Sequence, residues 1–211
     1  MSVSSSVKVR RIVRLLAGHY GAIAWWPGNT DEVMIGAILT QQTRWENVER
    51  ALSELQKRGL NSMHSLYSAE TQDIEHAIQC TGFYRVKARR LKSLAAHVME
   101  TYTGVNGMRQ IPTEILRAGL LNVKGIGEET ADSILCYGFL RTSFVIDAYT
   151  ERIMRCAGVR EKRQDLKPLF ERILPYNPKV YRQTHAHMVE YAKEYCGKKR
   201  CSECILVNLN G

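Results

Sequence analysis

The sequence predicts an all-α protein, on two observations. Apolar residues return at intervals of three and four, as in Ile12-Leu15-Leu16, Val33-Ile35-Ile38-Leu39 and Val48-Leu52-Leu55, the spacing that lines one face of a helix. No stretch alternates apolar and polar residues convincingly, and the one Asn-Gly pair, Asn106-Gly107, stands in a loop without flanking strands. The chain has 211 residues, 45% apolar and 24% charged. That is enough for one substantial core or two small lobes and argues against disorder.

Taken in order, the run through Leu16 gives an N-terminal helix, closed before the break Trp26-Pro27-Gly28-Asn29. Thr30 stands at capping distance from the next amphipathic run. The third run ends at Arg58-Gly59, and later breaks fall at Thr81-Gly82-Phe83, Thr103 to Pro112, Lys124 to Gly127, Arg141-Thr142 and Pro175 to Pro178. Thr113, after Pro112, is placed to cap a helix leading into the Lys124 turn, and an apolar helix runs from Thr130 to Tyr137. No internal repeat, low-complexity tract or flexible linker divides the chain.

A formal charge of +9 suits a polyanionic partner, although ribosomal or membrane-surface proteins share it. No segment reaches the roughly 18 uninterrupted apolar residues of a membrane span. The polar start Met1 to Ser6 lacks the apolar region of a signal peptide, so an intracellular address, cytoplasm or nucleoid, is expected. In that setting six cysteines are not three disulfides. Cys80, Cys136 and Cys156 read as small buried hydrophobes.

The segment Asn122-Val123-Lys124-Gly125-Ile126-Gly127-Glu128-Glu129-Thr130-Ala131-Asp132 is the most informative. Two glycines without Cβ atoms let a turn approach a phosphate closely, and the helix beginning there points its first N–H groups and positive dipole end back at the turn. Lys124 precedes the glycines as a phosphate contact. A lone carboxylate, Asp147, follows the apolar run Val145-Ile146; such a residue is ordinarily a helix N-cap. The pattern resembles the helix-hairpin-helix of the endonuclease III superfamily of DNA glycosylases. That resemblance makes Asp147 the catalytic aspartate, able to stabilise positive charge on a sugar or to position a water.

The resemblance carries further expectations. Residues 28–143 form a six-helix lobe holding the hairpin, 1–27 with 144–211 form a terminal lobe, and the active site lies in a cleft between them with Asp147 at its mouth. Bifunctional members carry a nucleophilic lysine in the turn after the hairpin. Here that place holds Glu129, which predicts a monofunctional enzyme that forms no Schiff base. Gly125, Gly127 and Thr130 belong to the DNA-binding hairpin. Gln41 or Gln42 supplies a polar residue near the gap left by a flipped nucleotide.

All three tryptophans lie in Ala24-Trp25-Trp26-Pro27 and Leu39-Thr40-Gln41-Gln42-Thr43-Arg44-Trp45. Each is a core residue or a wall of a pocket that receives an extruded base. With Gly82-Phe83-Tyr84 and Lys87-Ala88 they are similar to the endonuclease III-like 3-methyladenine DNA glycosylases, in which Trp45 stacks on the base and Trp25, Trp26 and Pro27 form the opposite wall. A cationic alkylpurine is a good leaving group and suits an aromatic slot. Phe83 is a wedge entering the duplex opposite the lesion or an aromatic packed under its loop. The basic stretch Arg85, Lys87, Arg89, Arg90, Lys92 mixes phosphate contacts, Lys87 among them, with a solvated face. Lys198 is a pocket lysine or a surface phosphate contact.

Many relatives end in four cysteines, C-x6-C-x2-C-x5-C, around an iron–sulfur cluster. Cys196, Cys201 and Cys204 depart from the first spacing, and Asn210 stands where the fourth belongs. A four-iron cluster takes four thiolates, so no cofactor is expected. A zinc site completed by His185 or His187 does not suit the spacing, and those histidines read as a helix surface and a packed imidazole. The expected protein is a monomer acting on double-stranded DNA with a damaged base, a 3-methyladenine glycosylase without lyase activity. A mismatch adenine or uracil/thymine glycosylase and a non-catalytic hairpin DNA-binding protein are the competing readings.

Overall fold

A computed structural model of the chain describes residues 4–26 and 28–206. Among the described residues every regular element is helical. The chain divides into two compact units, one running from Trp26 to Arg141 and the other joining the residues up to Trp25 with those from Thr142 onward.

The central unit contains α2 (Thr30–Leu39), α3 (Trp45–Lys57), α4 (Met63–Ser68), α5 (Thr71–Ile78), α6 (Tyr84–Tyr102), α7 (Val105–Met108), α8 (Thr113–Leu121) and α9 (Glu128–Ser133). Its core is aliphatic, built from Ile35, Ile38, Leu39, Leu55, Leu91, Leu94, Leu120 and Leu135 among others, all fully buried. Helix α2 is the middle of that core, and eight of its ten residues are buried. Its cap is Asn29, not Thr30: the Asn29 side chain accepts from Glu32 N–H and the Glu32 carboxylate accepts from Asn29 N–H, a reciprocal cap. Thr30 is already helical, and its hydroxyl donates to Gly138 O at 2.9 Å. Likewise Thr113 opens α8 after Pro112. The Asn106-Gly107 loop is the short helix α7.

The terminal unit contains α1 (Ser5–Tyr20), α10 (Ala148–Cys156), α11 (Arg163–Ile173) and α12 (Pro178–Tyr191). Helix α1 buries Val9, Ile12 and Leu16, while Leu15 turns outward. Helix α12 packs against α1 and α10. It is buried along most of its length, including His185 and His187, so neither histidine lies on a helix surface. His187 Nε2 lies 2.7 Å from Gly21 O, and its ring stacks on Tyr20. Helices α9 and α12 each run on into one π-helical turn, Ile134–Gly138 and Ala192–Cys196.

Helix ends leave carbonyls without partners, and buried cations satisfy several of them. Lys87, 1% exposed, donates to Leu39 O at the end of α2 and to Thr81 O, both at 2.9 Å. The half-buried Lys92 does the same at the C-terminal end of α4, for Tyr67 O and Ala69 O. Lys87 is therefore a helix-end clamp and no phosphate contact: its ammonium points into the protein. Burial and the neighbouring Arg90 charge pull its pKa down to about 8 from the ordinary lysine range.

The direction of that shift sets a pH dependence. Above pH 8 the folded protein has released the Lys87 proton while the unfolded chain still holds it, so raising the pH toward the ordinary lysine pKa stabilises the fold. Lys87→Met removes this term. The melting temperature of the unsubstituted protein should rise relative to that of Lys87→Met between about pH 8 and pH 10, and parallel pH profiles would refute the assignment.

Candidate functional site

The hairpin is α8, a tight turn from Asn122 to Gly127, and α9. Val123 and Ile126 anchor the turn in the core, with Ile126 N–H donating to Val123 O at 3.0 Å. Arg117 of α8 grips Asp132 of α9 through two parallel hydrogen bonds of 2.8 and 3.0 Å, and Asp132 is 2% exposed. A bidentate pair of this kind fixes the two helices in register.

The two glycines differ. Gly125 has φ +93, and a Cβ there would stand 2.5 Å from the Arg90 side chain, so the fold demands glycine. Gly127 is extended, exposed and open on all sides; nothing within the chain demands it. The exposed Lys124 flanks the same turn. Two carboxylates, Glu128 and Glu129, occupy the first turn of α9, where the helix dipole favours them.

Gln41 braces this turn from behind. Its Nε2 donates to Gly125 O at 3.3 Å and to the Thr130 hydroxyl at 3.1 Å, while its Oε1 accepts from Arg90. The Gln41 amide and the buried Thr130 hydroxyl therefore serve the hairpin's shape and do not face a phosphate. Gln42, by contrast, is exposed in the left-handed region at φ +54. Phe83 also has positive φ, +47, and is 67% exposed. The packed-under-a-loop reading of Phe83 thus fails. A bulky residue held left-handed and solvated is strained without a folding gain. Of the basic stretch on α6, only Arg85 and Arg89 are exposed, because Lys87, Arg90 and Lys92 bond inward.

Trp26 and Trp45 meet edge to face with ring centres 5.4 Å apart, and Tyr137 lies 5.6 Å from Trp26. All three belong to the central unit. The Trp26 indole rests on Gly36 so closely that a Cβ there would fall 2.6 Å from the ring. The residue takes a left-handed backbone, φ +48, to reach that place. Tyr137 was not foreseen from the sequence, because the π-helical turn that aims it has no spacing signature. Trp25 belongs to the terminal unit, with Lys193 Nζ 4.9 Å above its ring, and Pro27 lies outside the described residues.

Asp147 caps α10: its Oδ1 accepts from Thr150 N–H at 2.7 Å. A cap is normally solvated, whereas Asp147 is 7% exposed. Its other oxygen lies 3.4 Å from His185 Nε2 on α12. Burial pushes the carboxyl pKa up, but the His185 ring and the Thr150 N–H outweigh it and hold the group below the usual carboxylate range. The site thus contains an ionised carboxylate shielded from water, the state suited to stabilising a developing cation. The histidine came from a segment 38 positions away, which no local pattern connects to Asp147.

In the cysteine tail, Cys204 Sγ lies 2.8 Å from the Tyr191 hydroxyl, and Lys198 is exposed in the turn after Cys196. Cys156 is exposed, contrary to expectation, and joins Cys201 and Cys204 in raising the Cys196 pKa, after burial as the main cause. Cys80 is half-buried and donates to Asn47 O. Among the described residues no three His, Cys, Asp or Glu side chains are arranged to hold one metal ion, and Asn210 lies outside them. Cys156 of α10 adds a fourth thiol to the three of the tail around Cys196.

A glycine hairpin followed by a buried aspartate at a helix start defines the class of helix-hairpin-helix base-excision repair proteins. The chain belongs to the HhH-GPD superfamily of base excision DNA repair proteins, whose family model matches residues 35–176. It is 40% identical over 203 residues, 93% of this chain and 92% of the other, to a Methanocaldococcus jannaschii protein named as a DNA repair glycosylase. The structure of Helicobacter pylori 3-methyladenine DNA glycosylase bound to 1,N6-ethenoadenine superposes with a TM-score of 0.77 at 25% identity, covering 91% of this chain and 98% of that one. An endonuclease III in a non-covalent DNA complex gives 0.82 at 21% identity, covering 100% and 96%, a likeness of fold. The protein is a base-excision-repair DNA glycosylase. Among the described residues no helix is long and apolar enough to cross a membrane.

The two glycines should separate in a thermal melt. Gly125→Ala meets both a forbidden backbone and the Arg90 stem, and a loss of about 1–3 kcal/mol is expected. Gly127→Ala should stay within about 0.5 kcal/mol of the parent. Equal losses would show that Gly127 too is set by the fold.

Proposed function

We propose that this protein is a monofunctional glycosylase that hydrolyses the N-glycosidic bond of an alkylated purine, 3-methyladenine by preference, flipped out of double-stranded DNA. The observation that carries the reading is Asp147: a carboxylate both buried and ionised, at the helix start after the hairpin. As the bond breaks, its electron pair leaves with the base and the sugar becomes cationic. The carboxylate stabilises that cation and orients the water that adds to the anomeric carbon, and the proton the added water sheds passes to solvent. A methylated purine already carries positive charge, so it departs as a neutral base and needs little help from acid catalysis.

The substrate class rests on Trp26, Trp45 and Tyr137, whose clustered faces suit a flat cation. The 3-methyladenine enzyme among the structural relatives supports it. Exposed Glu129 supports hydrolysis without lyase action, because a carboxylate in the first turn of α9 cannot form an imine. Phe83 and Gln42, held exposed by strained backbones, suit the wedge and the gap left by the flipped nucleotide. Gly127 and Lys124 suit the DNA backbone. No step is assigned to the cysteine tail, and the pure protein is expected to lack the visible absorbance of an iron–sulfur cluster.

The test is release of free base from duplexes that are methylated, uracil-containing, mismatched or oxidised. Methylated purine should be released, strands should break only after alkali, and borohydride should trap no protein on DNA. Asp147→Asn should slow release by about 10²-fold or more. Phe83→Ala should weaken binding of lesion duplex while leaving the fold intact. Excision of uracil or oxidised bases with methylated DNA ignored would overturn the substrate, and nicking without alkali would overturn the hydrolytic mechanism.

A further inference from the structure

The terminal unit contains a second group whose placement the N-cap role of Asp147 does not explain. A cap needs one carboxylate oxygen, and Thr150 N–H already holds Oδ1. The other oxygen faces His185 at 3.4 Å, and the two side chains are 10% and 8% exposed. The imidazole sits in an aromatic slot: Phe144 meets it edge-on with ring centres 6.4 Å apart, and Phe144 is in turn stacked on Phe170 at 4.3 Å and set edge-on to Tyr181. Burying an imidazole and a carboxylate together is costly unless they pair.

We infer that His185 is the positioning residue of base excision: with Thr150 N–H it holds the Asp147 carboxylate in one orientation, leaving the remaining lone pairs of both oxygens for the sugar and the water. The inference rests on the proposed role of Asp147 and names the group that makes it work. A carboxylate has about four acceptor positions, so the Thr150 N–H on one oxygen and the His185 ring beside the other fix the plane without filling it. A hydrated aspartate in that position would rotate and would exchange its water for every approaching group. Fixed and shielded, it presents the same charge at every turnover, which is the condition for electrostatic catalysis.

The surrounding charges are committed elsewhere. From α11, Arg163 donates to Ile146 O and pairs with Glu151 of α10. Lys167, on the same helix, binds Ser143 Oγ, Phe144 O and Glu171. From α12 the His185 ring faces the carboxylate, and from α10 the backbone of Thr150 does so.

The test uses the full chain with His185→Gln, which keeps a donor, and His185→Leu, which does not, alongside Asp147→Asn. Single-turnover release of methylated purine should fall on the order of tenfold to a hundredfold in His185→Leu, the scale on which orienting partners act, and recover in large part in His185→Gln. Affinity for duplex with an abasic-site analogue should change less than about threefold. Without the ring the carboxyl titrates higher, so the acid limb of the excision profile should move to higher pH in His185→Leu. The same shift should appear in the carbon-13 titration of Asp147, assigned by its loss in Asp147→Asn. That reading needs no substrate and works even if His185→Leu is less stable.

An unmoved Asp147 titration, or full excision by His185→Leu, would overturn the inference while leaving Asp147 catalytic. Full excision by Asp147→Asn would overturn the proposed function itself. Equal loss in His185→Leu and His185→Gln with no shift in either profile would reduce His185 to a packing residue.

Discussion

A carboxylate removed from water stays charged only where donors replace the water it lost. In the terminal unit that condition joins the extended run ending at Asp147 and the adjoining first turn of α10 to the buried face of α12, which is distant in sequence. Helix α12 is the common support. His187 reaches Gly21 O, Gln183 exchanges two hydrogen bonds with the backbone of Ile23, and Arg182 donates to Trp25 O. The segment after α1 is thereby sewn to the helix that carries His185. Loosening α12 therefore frees the carboxylate as well as the core, and the unit's packing and the setting of Asp147 fail together.

The central unit meets a different demand. It must hold a turn of bare backbone open to a large polyanion and keep it rigid. Rigidity comes from beneath, through the Gln41–Arg90 brace and the Arg117–Asp132 pair. Openness comes from Gly127 and from cations turned inward onto carbonyls, where they stabilise helix ends and do not crowd the turn. The formal charge of +9 therefore overstates the positive surface offered to DNA, because Lys87, Arg90 and Lys92 have engagements inside.

The helical class, the hairpin and Asp147 were legible in the sequence because each has a local signature: a periodicity, a glycine pair at fixed spacing, a carboxylate after an apolar run. Phe83 was legible as either an exposed wedge or a packed ring, and spacing could not decide between them, since exposure depends on a left-handed backbone that it does not encode. Lys87 and Gln41 were misassigned for one reason. A cation or amide in a motif known to touch DNA reads as a contact, and the carbonyls that claim it come from helix ends elsewhere. His185 and Tyr137 stayed hidden because their partners are close only after folding, one across two helices and the other through a π-helical turn.

The contact between Trp26 and Gly36 has a consequence for how this surface changes over time. The indole fills the space where a side chain at position 36 would stand, so the two positions behave as one variable. Any side chain gained at 36 expels the ring, and any loss of the ring leaves a void that invites a side chain at 36. Change at either alone is penalised, and a new aromatic wall is reached only by a paired step. Diversification of this aromatic cluster is thus channelled away from positions 26 and 36 and toward its other members.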